Sequence, residues 1–122
     1  MEALRDHAGH EGVQERALGV AYNLSTLSEE RCETFVKLGL IGLAVSAMKA
    51  HPNNRGVQEE GCSALFVLLQ TVPDIAAVPM EECGGVAVVK IDKETHEDDK
   101  RGVVKWASKA ITEIEAHRKS GR

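Results

Sequence analysis

The side chains that could carry out chemistry in this chain are its histidines, its cysteines and one acidic run. His7 and His10 are three positions apart, a spacing that can place two metal ligands on one helical turn. Gly9 lies between them, in a stretch that the internal repeat described below marks as a loop. We therefore expect no metal site at this pair. His51, which aligns with His7 in that repeat, is expected to end the helix that precedes it.

The three cysteines, Cys32, Cys62 and Cys83, are odd in number, widely spaced and not part of a C-x-x-C pair. This pattern argues against a disulfide framework or a zinc site and indicates reduced thiols. Cys62 has no base beside it in the sequence, and such a thiol is more often a small hydrophobic residue than a nucleophile. The cysteine pattern therefore predicts a cytoplasmic protein, with a nuclear location as the alternative.

The acidic run of residues 92–99 lacks the glycine-centred loop of a calcium-binding site. We expect a solvated turn in which Asp98 or Asp99 caps the following helix. The chain also contains no glycine-rich phosphate loop, no G-x-S-x-G and no H-E-x-x-H motif. The sequence therefore predicts no catalytic residue, no metal, no cofactor and no enzymatic activity. A small helical enzyme or ligand-binding domain is the alternative, and a deep closed pocket with a perturbed acid or base would favour it.

The composition narrows the remaining classes of protein. A length of 122 residues fits one domain, and a hydrophobic fraction of 43% is typical of a globular chain. No apolar run approaches the roughly 18 residues of a membrane-spanning helix, and the first residues lack the apolar core of a signal peptide. The net charge is −4 and the basic residues are scattered. We therefore expect neither a membrane nor a nucleic-acid partner.

An internal repeat carries most of the information about the fold. A shift of 44 positions superposes six identical residues within 13 positions, and Arg55-Gly56-Val57 recurs as residues 101–103 at a shift of 46. The six are Ala3, His7, Gly12, Val13, Gln14 and Glu15, which fall on Ala47, His51, Gly56, Val57, Gln58 and Glu59. A period of about 44 residues lies in the range of helical solenoids. An accidental match within one compact helical domain is the alternative.

Each copy of the repeat contains a long segment with helical periodicity. After each Gly-Val pair, the apolar or small residues follow one face of a helix at spacings of 4, 3, 1 and 3. They are Val13, Ala17, Val20, Ala21 and Leu24; then Val57, Gly61, Ala64, Leu65 and Leu68; then Val103, Ala107, Ala110, Ile111 and Ile114. We predict that these faces form the core, and that the small residue at each second position lets a neighbouring long helix approach closely.

Two shorter helices are predicted between the long ones. Ser28 can cap a helix that ends at Gly39, and Leu40 to Ala50 forms the next. Asn53 or Asn54 is then the cap of the long helix that follows.

The second copy of the repeat is less regular. Asp74 is the expected cap of its first helix, and residues 83–85 are the expected break. Residues 86–91 alternate like a β-strand, but no second strand is available to pair with them, so the repeat favours a helix.

Residues 35–41, 51–53 and 57–65, which read FVKLGLI, HPN and VQEEGCSAL, resemble the armadillo repeat. The resemblance is closest to the variant found in armadillo regions of leucine-rich repeat kinases and related eukaryotic proteins. It implies an all-α fold: a right-handed armadillo-type α-solenoid of two or more three-helix repeats. Residues 1–28 would be a partial repeat, 29–71 a full repeat, and 72–122 a divergent C-terminal repeat with a polar cap.

The resemblance also implies where a partner would bind. In this family the third helices line a concave groove that holds extended peptides or proteins. The matching positions here are Arg16, Gly19, Asn23, Glu60, Ser63, Val67, Trp106, Lys109 and Glu113. The peptide-binding members carry a Trp at the first and an Asn at the second of two positions on each third helix. Here the Trp positions are Gly19, Ser63 and Lys109, and the Asn positions are Asn23, Val67 and Glu113. Only Asn23 matches. Binding of nuclear-import cargo is therefore not expected.

The sequence thus predicts a non-catalytic protein-interaction module or scaffold with a protein or peptide partner. Trp106 would be either an interface anchor or an edge residue that packs onto the preceding helix. The chain would begin inside a repeat, so its first long helix would lack the shorter helices that normally cover one of its sides, and Leu4, Leu18 and Tyr22 would not form a polar cap there. A fragment of a longer array that self-associates, or a homodimer formed through this N-terminal end, is the alternative.

Overall fold

The computed structural model describes residues 9–120, with side chains to residue 117, and this part of the chain forms seven α-helices and no β-strand. The helices are α1 (Glu11–Ser25), α2 (Glu29–Lys37), α3 (Leu40–Ala50), α4 (Arg55–Thr71), α5 (Pro73–Glu82), α6 (Gly85–Thr95) and α7 (Val103–Ser120). The prediction of an all-α protein is confirmed. Residues 86–91 lie within α6, so the repeat outweighed their β-branched alternation.

The three long helices form one layer in which α4 lies between α1 and α7. The shorter helices cover the other side: α3 packs on α4, α6 packs on α7, and α2 and α5 contact both the short and the long helices. The order short, short, long therefore occurs twice, in α2–α4 and again in α5–α7.

Polar side chains cap several of the helices at the predicted positions. Ser28 Oγ accepts a hydrogen bond from the Arg31 N–H at 3.1 Å, and Asn54 Oδ1 accepts one from the Val57 N–H at 3.0 Å. Asp99 Oδ2 accepts a hydrogen bond from the Val103 N–H at 3.2 Å. These three predictions are confirmed. Polar caps are favoured at these positions because each helix start leaves backbone N–H groups without an intrahelical acceptor. His51 ends α3, also as predicted.

Glycines separate the paired short helices. Gly39 and Gly84 have φ angles of 89° and 76°, a left-handed conformation that residues with a Cβ adopt only at a cost. The prediction that Asp74 caps α5 is wrong. Pro73 occupies the first position of that helix, where its fixed φ and missing N–H are tolerated. Asp74 therefore lies within the first turn.

The predicted core face is correct for α4, where all five residues are buried, and nearly so for α7, where only Ile111 is half-buried. The prediction for α1 is correct at Ala21, and the other buried positions lie one residue after the predicted ones. Its buried residues are Gln14, Leu18, Ala21 and Ser25, whereas Val20 is 55% exposed. Only α2 and α4 pack extensively against α1 among the described helices, so part of its apolar face stays open.

Gly61 is a point of close approach, as predicted, but its neighbour belongs to a short helix rather than a long one. A Cβ on Gly61 would lie 2.6 Å from Met48 Sδ of α3. The small residue is therefore required where α3 lies against α4. Leu18 also differs from its prediction, because it is fully buried rather than on an uncovered side.

Contacts between residues 43 or 44 positions apart connect successive parts of the chain. Asn54 Nδ2 donates to Glu11 Oε2 at 3.1 Å, and Arg55 forms an ion pair with Asp98. His96 Nε2 lies 2.8 Å from the Pro52 carbonyl oxygen. These contacts link the starts of the three long helices.

Candidate functional site

Three of the four aromatic residues of the chain meet across the layer of long helices. Tyr22 comes from α1, Phe66 from α4 and Trp106 from α7. The Trp106 ring centroid is 5.6 Å from that of Tyr22 in an edge-to-face arrangement and 5.8 Å from that of Phe66. All three are half-buried. We call this cluster the aromatic strip, because it presents apolar rings that the core does not fully enclose.

Two exposed lysines of α7 flank the aromatic strip. Lys105 Nζ lies 4.9 Å from the centroid of the Trp106 ring. Lys109 Nζ lies 5.3 Å from the same ring and 5.5 Å from that of Phe66. At exposed sites such cation–π contacts contribute about 0.5–1 kcal/mol each. The lysines therefore help to hold the Trp106 side chain in place and give this surface two positive charges.

Carboxylates gather beside the strip, at the N-terminal ends of the long helices. Burial raises the pKa of Glu59, and the nearby charges of Asp99 and Glu15 raise it further, while Lys105 lowers it. Burial also raises the pKa of Glu60, with Glu59 and Glu15 adding to the effect. The surface of the long-helix layer is thus acidic at one end and carries lysines and aromatic rings farther along.

Four of the predicted groove residues lie together, beside α1. Arg16, Gly19, Asn23 and Glu60 line an open cleft of about 390 Å³. The Glu60 carboxylate sits against Gly19, where a Cβ would be 3.2 Å from Oε2. Gly19 therefore gives the Glu60 side chain its place between α1 and α4.

The other predicted groove residues are more dispersed. Trp106 and Lys109 belong to the aromatic strip and its lysines, and Glu113 is half-buried farther along α7. Ser63 and Val67 are 2% and 7% exposed, so the expectation that they lie on an open groove floor needs correction. Ser63 Oγ donates to the Glu60 carbonyl oxygen instead. These two positions are closed because α4 is packed on both flanks.

Sequence reasoning missed Tyr22 and Phe66 as site residues. They are 44 positions apart, which is the repeat period, and they are two of only four aromatic residues. That combination was the available signal. Trp106 is not at the equivalent position of α7, so only the tertiary structure shows that its ring reaches both of the others.

A buried cluster of Cys62, Asp92 and His96 combines residue types found in catalytic sites. Cys62 Sγ donates to Asp92 Oδ2 at 3.5 Å, and Asp92 and His96 are 4% and 5% exposed. Burial raises the pKa of Asp92 to about 6 and raises the pKa of the Cys62 thiol well above its ordinary value. A thiol that stays protonated and covered presents no nucleophile to a substrate, so this cluster is a structural contact between α4 and α6.

The described residues contain no group of three or more His, Cys, Asp or Glu side chains able to hold a metal ion. His10 instead caps α1, since its Nδ1 accepts a hydrogen bond from the Val13 N–H at 3.3 Å. His7 and Leu4 lie outside the described residues. Cys32, Cys62 and Cys83 carry free thiols, and none of the helices within residues 9–120 is long and apolar enough to cross a membrane.

The fold and this surface together define an all-α protein whose long helices share one face. Comparisons of the chain with models of protein families, with curated proteins and with solved structures give no significant match.

Proposed function

We propose that this chain is an armadillo-type module that binds a protein or peptide partner on the face of its long helices and has no catalytic activity. The observation that carries the proposal is the aromatic strip, with one ring from each of α1, α4 and α7. Half-exposed Trp and Tyr side chains are the residues most often responsible for binding energy at protein interfaces. A strip that crosses three helices suits an extended partner that runs along the layer.

The helix order supports the armadillo assignment. The order short, short, long occurs twice, and a left-handed glycine separates each pair of short helices. Contacts near the starts of successive long helices join positions about 44 residues apart. In this proposal the chain is a right-handed solenoid of two or more repeats, with repeats at 29–71 and 72–122 after a partial one at 1–28. Its location is cytoplasmic or nuclear, consistent with three unpaired cysteines.

The experiment is a comparative capture of partners followed by binding in purified form. The test variant is Lys105→Glu with Lys109→Glu, which reverses two exposed charges beside Trp106. The matched control is Lys90→Glu with Lys93→Glu, two exposed lysines on α6. Circular dichroism of all three proteins should be the same, because none of the four side chains is buried.

We expect at least one protein to be retained by the wild type and the control variant and lost by the test variant. That protein, when purified, should bind the wild type with a measurable Kd and the Trp106→Ala variant at least about tenfold more weakly. Identical sets of captured proteins for all three baits would contradict the proposal.

A further inference from the structure

Lys109 is a cation that the described residues do not neutralise. Its Nζ lies 5.3 Å from the centroid of the Trp106 ring and 5.5 Å from that of Phe66. The ion pairs within residues 9–117 join other side chains, so Lys109 is paired neither with Glu113, one turn farther along α7, nor with another described carboxylate. An anion of a partner can therefore approach this ammonium group without breaking an ion pair of the chain.

Lys105 differs from Lys109 in this respect. Both lysines are exposed, and both ammonium groups lie over the Trp106 ring. The charge of Lys105 lowers the pKa of Glu59, so a carboxylate of α4 lies within its electrostatic reach. Part of the charge of Lys105 is thus compensated, which leaves Lys109 as the stronger attraction for an anion.

Charge is segregated across the layer of long helices. Burial, followed by the charges of neighbouring carboxylates, raises the pKa of Glu59 and Glu60 on α4, and Glu15 of α1 contributes to both. Arg16 is a cation on α1, and it lines a cleft together with Glu15 and Glu60. A carboxylate of a partner is therefore repelled over the start of α4 and attracted over Lys109 of α7. Like charges brought together at an interface disfavour the wrong register.

The rings beside Lys109 offer an apolar contact to the same partner segment. Tyr22, Phe66 and Trp106 are half-buried, so each exposes part of its ring. Alternate residues of an extended chain point to the same side and are about 6.5–7 Å apart. The distances of 5.3 and 5.5 Å from Lys109 Nζ to the ring centroids are of similar size. One extended segment can therefore place an acidic side chain at Lys109 and an apolar side chain on a ring.

We propose that the partner presents an extended segment in which the carboxylate of an Asp or Glu pairs with Lys109 and an apolar side chain two residues away packs on the aromatic strip. This inference rests on the function proposed above and names the chemistry of its partner. Lys109 is then the residue that selects an acidic partner, whereas the rings supply apolar contact area. An acidic side chain placed toward α4 instead would meet Glu59 and Glu60.

The first probe is a library of random seven-residue peptides displayed on phage and selected on the intact protein. Phage that also bind the Trp106→Ala variant are discarded. We expect the retained peptides to carry Asp or Glu two positions from an apolar residue and to be poor in Lys and Arg.

The outcomes of the selection separate this inference from the proposed function. Retained peptides that are not enriched in Asp or Glu would overturn the inference and leave the proposed function in place, because they would still depend on Trp106. If no peptide depends on Trp106, the inference is overturned as well, and the capture experiment alone then decides the function.

The second measurement is the affinity of one enriched peptide, labelled with fluorescein, for variants of the intact protein. Lys109→Gln should weaken binding about threefold to fivefold, the upper range for one exposed ion pair. Lys109→Arg keeps the charge and should bind about as tightly as the wild type. Lys90→Gln, at an exposed lysine of α6, is the matched control and should leave the Kd unchanged. An unchanged Kd for Lys109→Gln, or the same loss for Lys90→Gln, would overturn the inference.

A peptide with Asn or Gln in place of its acidic residue identifies the pair itself. It should bind the wild type about threefold to fivefold more weakly, and Lys109→Gln should have little further effect, since the paired charge is already absent. Additive losses would show that the acidic residue pairs elsewhere, which overturns the inference. Phosphoserine at that position, if it binds about tenfold or more tightly than the carboxylate, would assign the position to a phosphate group instead.

Discussion

At the scale of single residues, Gly61 marks the closest approach of α3 to α4. Any side chain there must displace the side chain of Met48, which is 1% exposed. We expect Gly61→Leu to lower the free energy of unfolding by about 3 kcal/mol or more, as overpacking of a filled core does. Urea denaturation measures this value.

Gly42 provides the control for Gly61. It lies inside α3, and a Cβ there would meet nothing within 4 Å. Gly42→Ala should therefore leave stability unchanged or raise it by up to about 1 kcal/mol, because alanine is the better helix former. If the two variants unfold at the same denaturant concentration, the close contact does not exist.

The Asp92 carboxyl should make the stability of the protein depend on pH. It faces Cys62 of α4 and His96, the residue that follows its own helix, and burial raises its pKa from the ordinary 3.8 to about 6. Between these two values the folded protein holds a proton that the unfolded chain has released. Stability from this group is therefore fully present below about pH 4 and is lost as the pH rises to about 6 and above.

Asp92→Asn tests this linkage, because the amide cannot ionise. The variant should be more stable than the wild type at pH 7, by up to about 3 kcal/mol, and the difference should shrink toward pH 4. Urea denaturation of both proteins across this pH range gives the difference directly, since other titrating groups cancel. Two curves that stay parallel would contradict the assignment.

At the scale of helices, Asn54 and Ser28 are caps that differ in the number of hydrogen bonds they form. Ser28 Oγ accepts one backbone hydrogen bond at the start of α2. Asn54 Oδ1 does the same for α4, and its Nδ2 also donates to Glu11 of α1. Ser28→Ala should cost about 1 kcal/mol, the usual value for a lost cap.

Asn54→Ala should cost more than Ser28→Ala, because it also removes the hydrogen bond that Asn54 donates to Glu11 of α1. Thermal unfolding of the two variants compares these costs under the same conditions. Glu11→Ala is the informative control, as it leaves the cap of α4 in place and removes the hydrogen bond from Asn54 together with the contact between Glu11 and His51. An equal loss for Ser28→Ala and Asn54→Ala would show that the contact to Glu11 contributes nothing.

At the scale of the whole molecule, the position of α4 sets the order of stability among the helices. It packs against α1 and α7 on its flanks and against α3 beneath, whereas among the described helices α1 has extensive contacts only with α4 and α2. Amide hydrogen exchange should therefore be slowest in the middle of α4 and faster in α1. Slower exchange in α1 than in α4 would show that its open face is covered in solution.

The sequence alone determined the helices and most of their ends. The spacing of apolar residues, the caps Ser28 and Asn54 and the glycines at 39 and 84 act within a few positions along the chain, so local rules predict them. The period of about 44 residues also decided that residues 86–91 form a helix, where local propensity favoured a strand. The cap predicted at Asp74 is wrong, because Pro73 occupies the first position of α5 and Asp74 therefore lies within the first turn.

The tertiary structure alone decided which apolar faces are covered and which side chains meet. The apolar face predicted for α1 has the same periodicity as that predicted for α4, yet all five residues of the α4 face are buried, whereas Val20 on α1 is 55% exposed. Ser63 and Val67 became buried, and Tyr22, Phe66 and Trp106 came together, through the packing of three helices distant in the sequence. The periodicity of a sequence shows that one face of a helix is apolar. Whether that face is buried depends on another element lying within contact distance, which is determined only when the chain folds.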